Sequence, residues 1–144
     1  MKESFYVISK TIFDENHIYS DTETDDEMIA VVKSGNIDDV KECVNKELTA
    51  AVGRIRAHYR KLHDNCVRSC NEFLKLISSG DNNVSYDEFE EVSEKAKELE
   101  ELEPTIKSNF VGELPIHMII TDEVEDYQVH VLVQSVPLYE KTSE

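Results

Sequence analysis

An apolar seam running unbroken from Ile37 to Ile77 does more than any other feature to decide what this chain can fold into. Apolar or small residues recur at Ile37, Val40, Val44, Leu48, Ala51, Ile55, Tyr59, Leu62, Cys66, Cys70, Phe73 and Ile77, in steps of three and four. The pattern repeats every 11 residues, about 3.67 per turn, which is the period of a nearly straight helix with slight right-handed drift. No proline interrupts it. Asn36 is placed to cap its start, and Asp38 and Asp39 fall in the first turn, where the helix dipole favours negative charge. Ser78-Ser79-Gly80 ends it with a C′ glycine. A helix over 36–80, at ~1.5 Å per residue, is a rod of roughly 60 Å.

A second helix is predicted over 85–103. Ser85 and Glu88 form a capping box, Phe89, Val92, Ala96, Leu99 and Leu102 supply an apolar face, and Pro104 stops it. At roughly 27 Å it is under half the length of the first, and the short connection makes the pair an antiparallel hairpin. It covers the seam only from about Leu62 to Ile77. The earlier half, Ile37 to Tyr59, then needs the sheet or another copy of the chain to cover it, and a homo-oligomer is expected.

Strands flank the helices. Residues 4–13 are β-branched and aromatic, His17-Ile18-Tyr19 reads as a short returning strand, and Met28–Val32 as a third. Asp21 to Glu27 carries five acids in seven residues and reads as a solvated loop. Residues 104–115 read as a linker. Residues 116–121 and 127–136 alternate about the turn Glu123-Val124-Glu125-Asp126, a β-hairpin, and the tail from Pro137 is expected to fray. The fold class is therefore α+β: a small antiparallel sheet of N-terminal strands plus the C-terminal β-hairpin, with a long antiparallel helical hairpin inserted between them. One domain over 1–144 is expected, divided into 1–35, 36–80, 85–103 and 115–136.

Charge narrows function. The chain of 144 residues carries −16 at pH 7, which opposes direct binding to nucleic acid wherever a basic patch is lacking. No apolar run approaches the ~20 residues of a membrane span. The N-terminus lacks a signal-peptide pattern, and three unpaired-looking cysteines fit a reducing compartment, so the cytosol is expected.

All four arginines, Arg54, Arg56, Arg60 and Arg68, fall within 15 residues that also hold Lys61, His58 and His63 against one acid, Asp64. On a helical wheel Arg54, Lys61 and Arg68 form one flank, and Arg56, Arg60 and His63 the other. Ala50, Gly53 and Ala57 lie between them, opposite the seam. Guanidinium forks suit phosphate or carboxylate, and a mid-helix glycine at Gly53 suggests that something approaches the backbone there. The competing explanation is neutralisation by the second helix, which carries nine acids against Lys95 and Lys97. Gly53 with Ala57 also suits close helix crossing.

Other constellations are weaker. His63, Cys66 and Cys70 share a face with zinc-compatible chemistry, but both cysteines sit on the seam, where a free thiol is a small hydrophobe, so no metal is expected. The stretch from Asn83 to Phe89 resembles the exit of a calcium loop, yet Ile77 occupies its first ligand position and the capping box explains it. His117 and His130 lie on the two hairpin strands and read as ordinary sheet histidines facing different sides. No nucleophile, positioned carboxylate or glycine-rich loop accompanies them, so no catalytic residue and no cofactor is assigned.

Two functions suit this inventory. The first is a non-catalytic acidic binding protein, an inhibitor or regulator of the kind phages and mobile elements encode. It would meet a basic partner surface through its acidic segments, with Asp87, Glu90, Glu91 and Glu94 as contacts. The second is an oligomer that captures a small anion such as a nucleotide, with Arg54, Arg56, Arg60, Lys61 and Arg68 as ligands and Tyr59 stacking a base.

Overall fold

The structure, a computed structural model, describes residues 4–80 and 86–137. Its elements run β1 (Ser4–Asp14), β2 (Thr24–Lys33), α1 (Ile37–Ser78), α2 (Tyr86–Glu101), β3 (Thr105–Val111), β4 (Leu114–Thr121) and β5 (Tyr127–Pro137). The α+β class is as read from the sequence. Contacts divide the chain into two compact units: one comprises the chain up to Val52 together with that from Pro104 onward, the other Gly53–Glu103. Among the described residues no helix is long and apolar enough to cross a membrane.

The first unit is a five-stranded antiparallel sheet in the order β2-β1-β5-β4-β3. β1 and β5 form its spine, in register from Ser4↔Pro137 to Asp14↔Tyr127. One face carries Ile8, Val133, Val131, Val129, Met118 and Ile120, all buried, and the N-terminal part of α1 adds Val40, Val44 and Ala51 to that core. Lys10, on the same face, reaches Glu47 of α1 at 3.2 Å, and Lys41 of α1 reaches Glu113 at 3.2 Å. Such a face, alternating in and out with period two, is what an antiparallel sheet with one covered side requires.

Three local readings are corrected. His17-Ile18-Tyr19 is a turn, not a strand. The buried carboxylate of Asp14 organises it, accepting the backbone N–H groups of Ile18, Tyr19 and Ser20 at 2.9, 2.8 and 2.8 Å, and His17 takes a left-handed φ of 54°. The acidic stretch is only partly a loop. Asp25, Asp26 and Glu27 lie within β2, tolerated because β2 is an edge strand whose acids find Thr11 (2.7 Å from Asp26) and Lys10 (3.7 Å from Glu27) on β1. The linker 104–115 is mostly β3, an edge strand joined to β4 by the two-residue loop Gly112-Glu113. Gly112, at φ 61°, takes the first central position, which in a two-residue hairpin loop favours glycine. Pro115 is accommodated where the β3–β4 register shifts.

The second unit is the helical hairpin, with Phe73 of α1 edge-on to Phe89 of α2 at 6.4 Å and Arg56 bonded to Glu103 at the other end. Gly80, at φ 79°, closes α1 as its C′ residue, its N–H donating to Ile77 O. The expected cap at Ser85, the loop from Asn83 and the tail beyond Pro137 lie outside the described residues. The earlier half of the seam, expected to need the sheet or another copy as cover, is well buried: Val40, Val44 and Ala51 in the unit that holds the sheet, Ile55 and Tyr59 in the second. In the later half Leu62, Cys66, Cys70 and Phe73 are half-buried and Ile77 is exposed, as are Val67, Leu74 and Leu76 beside the seam.

Candidate functional site

The arginine island is split by its partner helix. α1 turns one flank toward the C-terminal end of α2, and a cleft of about 230 Å³ forms there, lined by Arg56, Tyr59, Arg60 and His63 on one side and Leu99, Glu100, Leu102 and Glu103 on the other. Tyr59 and Leu99 are its buried floor. Arg56 Nε donates to Glu103 Oε2 at 2.6 Å, with both side chains more than half exposed (58% and 59%). Of the six expected anion ligands, the cleft brings together Arg56, Tyr59 and Arg60. Arg54, Lys61 and Arg68 do not line it. Two carboxylates share its wall, so an incoming anion meets Glu100 and Glu103 as well as the guanidinium groups. The volume is also below the ~300 Å³ at which small-molecule pockets usually begin.

Gly53, expected to mark a close approach, has open space around it: a Cβ built there meets nothing within 4 Å. Among the described residues no group of three His, Cys, Asp or Glu side chains is placed to hold a metal. Cys66 and Cys70 are half-buried free thiols, as is Cys43, whose thiol is pushed up chiefly by burial and then by Glu47.

The acids expected to meet a partner, Asp87, Glu90, Glu91 and Glu94, are all exposed on α2. Buried Ala96 and Leu99 fix which side faces inward. The opposite ridge, at steps of four and three, reads Asp87, Glu91, Glu94, Glu98, Glu101. That is a line of carboxylates over roughly 21 Å at ~1.5 Å per residue. Among the described residues, none of the five makes an ion pair. Glu103, just past α2, pairs with Arg56 of α1, Glu100 lines the same cleft, and the ridge acids face solvent. The hairpin thus divides its negative charge into a structural set and a free set.

Two features escaped the sequence reading. A cleft of about 430 Å³ in the first unit is lined by Glu15, Glu23, Asp122, Glu125 and Asp126 beside Phe13 and Tyr127. Asp122 is buried there, accepting the N–H groups of Val124 and Glu125 and the Tyr19 hydroxyl at 2.7 Å. Turn aspartates of this kind hold their own backbone, and a sequence alone does not say which of several acids does so.

The second is the histidine pair. His117 and His130 share one sheet face, against expectation, with His117 Nε2 and His130 Nδ1 3.1 Å apart. Gln128 Oε1 lies 3.1 Å from His130 Nε2 and accepts its proton. His130 Nδ1 is then the acceptor for His117 Nε2–H, the tautomers following from the hydrogen-bond network. Phe13 stands edge-on to His130 at 5.2 Å. Burial, and then the neighbouring His117, hold the His130 imidazole below its ordinary range. The two rings thus satisfy each other's facing nitrogens, and His130 is held in its neutral form near pH 7. Comparison with protein-family models, curated proteins and solved structures finds no match for this chain.

Proposed function

We propose that this chain is a non-catalytic acidic binding protein that acts stoichiometrically, as an inhibitor or regulator, on a macromolecular partner with a basic surface. The observation that supports this most is the exposed carboxylate ridge Asp87-Glu91-Glu94-Glu98-Glu101 on α2, while Arg56 of α1 pairs instead with Glu103. A row of like charges on a rigid helix steers association and fixes register more than it adds affinity. Glu90 flanks the ridge, and Asp25, Asp26 and Glu27 make the edge strand β2 acidic as well. The free thiols Cys43, Cys66 and Cys70 fit a reducing, cytosolic setting.

The alternative, capture of a nucleotide-like anion, has Arg56, Arg60 and His63 beside Tyr59 in its favour and Glu100 and Glu103 against it. Native mass spectrometry of the freshly purified protein, followed by binding measurements on a variant with Glu90, Glu91 and Glu94 all changed to Lys, separates the two. The expected result is a basic macromolecule retained in fixed ratio. Its affinity should fall at least about tenfold in the variant and steeply with salt. A retained nucleotide-sized mass, lost on denaturation and abolished by Arg60→Ala in a folded protein, would replace this reading with ligand capture.

A further inference from the structure

The sheet has a second face, and among the described residues several of its large apolar side chains are exposed. Register alone fixes its membership: Phe5, Val7, Ser9, Thr11 and Phe13 on β1, with Val136, Gln134, Leu132, His130 and Gln128 opposite them on β5. β2 adds Val31 and Met28, and β4 adds His117 and Ile119. Met28 is 66% exposed, Val31 53%, and Phe13, Leu132 and Val136 between 36% and 42%. A two-layer domain hides one sheet face under its helix and leaves the other polar. This face instead carries an apolar patch, Phe5, Val7, Met28, Val31, Leu132 and Val136, among its polar residues.

We infer that this outer sheet face is where two copies of the chain join, sheet against sheet. Three observations favour a second copy as the occupant. The first is charge. On a chain of −16 with 31 acids, Asp26 is the one carboxylate among the described strand residues of this face, already bonded by Thr11, against the cations Lys33 and Lys107, while Glu15, Glu23, Glu125 and Asp126 gather at one end, in the cleft beside Phe13 and Gln128. Two identical acidic chains repel across an acidic surface. Away from the acidic end they meet with little like charge opposed, and a two-fold contact uses the same patch on both copies.

The second is area. β1 and β5 are each 11 residues long, so the face extends about 35 Å along the strands. Five strands ~4.8 Å apart make it about 20 Å wide. The resulting 600–700 Å², roughly, is near the ~800 Å² per partner of a standard stable interface.

The third is polar satisfaction. The imidazoles at the centre of the face spend their inner nitrogens on each other and on Gln128, so covering them strands few polar atoms. Two sheets of this kind stack about 10 Å apart in the manner of a β-sandwich.

Sedimentation equilibrium over about 1 to 200 μM, near neutral pH and at about 0.15 M and 0.5 M salt, tests this. We expect a dimer that tightens as salt rises, because screening removes the repulsion between two −16 chains. Leu132→Glu and Met28→Lys should each raise its Kd at least about tenfold. Met28 is on the edge strand and largely exposed, so its variant keeps the fold if Leu132→Glu does not. Circular dichroism identifies the folded variants. A monomer at every concentration overturns the inference and leaves the face to a different partner. A dimer indifferent to both substitutions but broken by Leu74→Glu overturns it too, and moves the interface to the exposed end of α1.

Discussion

The sheet unit and the helical hairpin bury their apolar residues differently. The sheet places Ile8, Ile120, Val129 and Val131 at 0–1% exposure, with Val40 and Val44 over them. In the hairpin, full burial is confined to the end near Ile55, Tyr59, Ala96 and Leu99. Toward the tip it gives way to exposed Val67, Leu74, Leu76 and Ile77. A hairpin of two helices has one contact line, and each turn is covered only if the partner supplies a side chain there. A sheet with a helix across it packs each side chain against several neighbours. Stability is therefore expected to be graded, highest in the spine of the sheet and lowest at the hairpin tip.

The largest effect that could break this contrast is a pair of truncations. Ile120→Ala should cost about 2–5 kcal/mol, as for a large side chain removed from a close-packed core. Leu74→Ala should stay within about 0.5 kcal/mol. Urea denaturation of the two variants decides it, and equal losses would remove the gradient.

A smaller effect follows from the histidine pair. His130 titrates below its unfolded value, first because it is buried and second because of His117. Between the two values the unfolded chain binds more protons, so stability should be complete above about pH 6.5 and decline as pH falls through the folded value. Protonating His130 Nδ1 also destroys the acceptor that His117 uses. Asp26 and Lys107, the charged side chains in the same cross-strand row, carry opposite signs and do not offset this. Denaturation midpoints at about pH 7.5 and 5.5 should differ for the native sequence and converge for His130→Gln.

The smallest expected effect lies in the hairpin. Arg56→Ala removes an ion pair with both partners mostly in water and should change stability by no more than about 1 kcal/mol. A larger loss, measured the same way, would mean that the cleft beside Tyr59 is a packed element rather than a solvated rim.

Much of the fold was legible in the residues, and the exceptions have physical causes. α1 could be read because a three-four spacing sustained over 42 residues has no other solution, and its glycine stop lies where the backbone turns left-handed. β2 was obscured because acids disfavour strands on average, whereas an edge strand tolerates them. β3 was obscured by Pro115, which suggests an interruption and instead sits at a register shift. The histidines could not be assigned to one face from alternation alone. Which face each occupies depends on the β4–β5 register, His117↔Leu132 and His130↔Ile119, and a turn one residue longer would have put them on opposite sides. The division of acids on α2 needed the position of α1, which its own periodicity does not contain.

The pairing of β1 with β5 also sets an order of events in time. The spine of the sheet joins Ser4 to Pro137, contacts separated by nearly the whole chain, while β1–β2, β3–β4 and α1–α2 are each local. Local pairs form quickly and distant ones slowly, because the loop between them must first be closed. During synthesis β1 therefore waits with one edge bare until β5 emerges, and throughout that interval β2, with Asp25, Asp26 and Glu27, guards the other. The acids of β2 thus protect the nascent chain as well as the finished one, at the stage when an unpaired strand most readily finds the wrong neighbour.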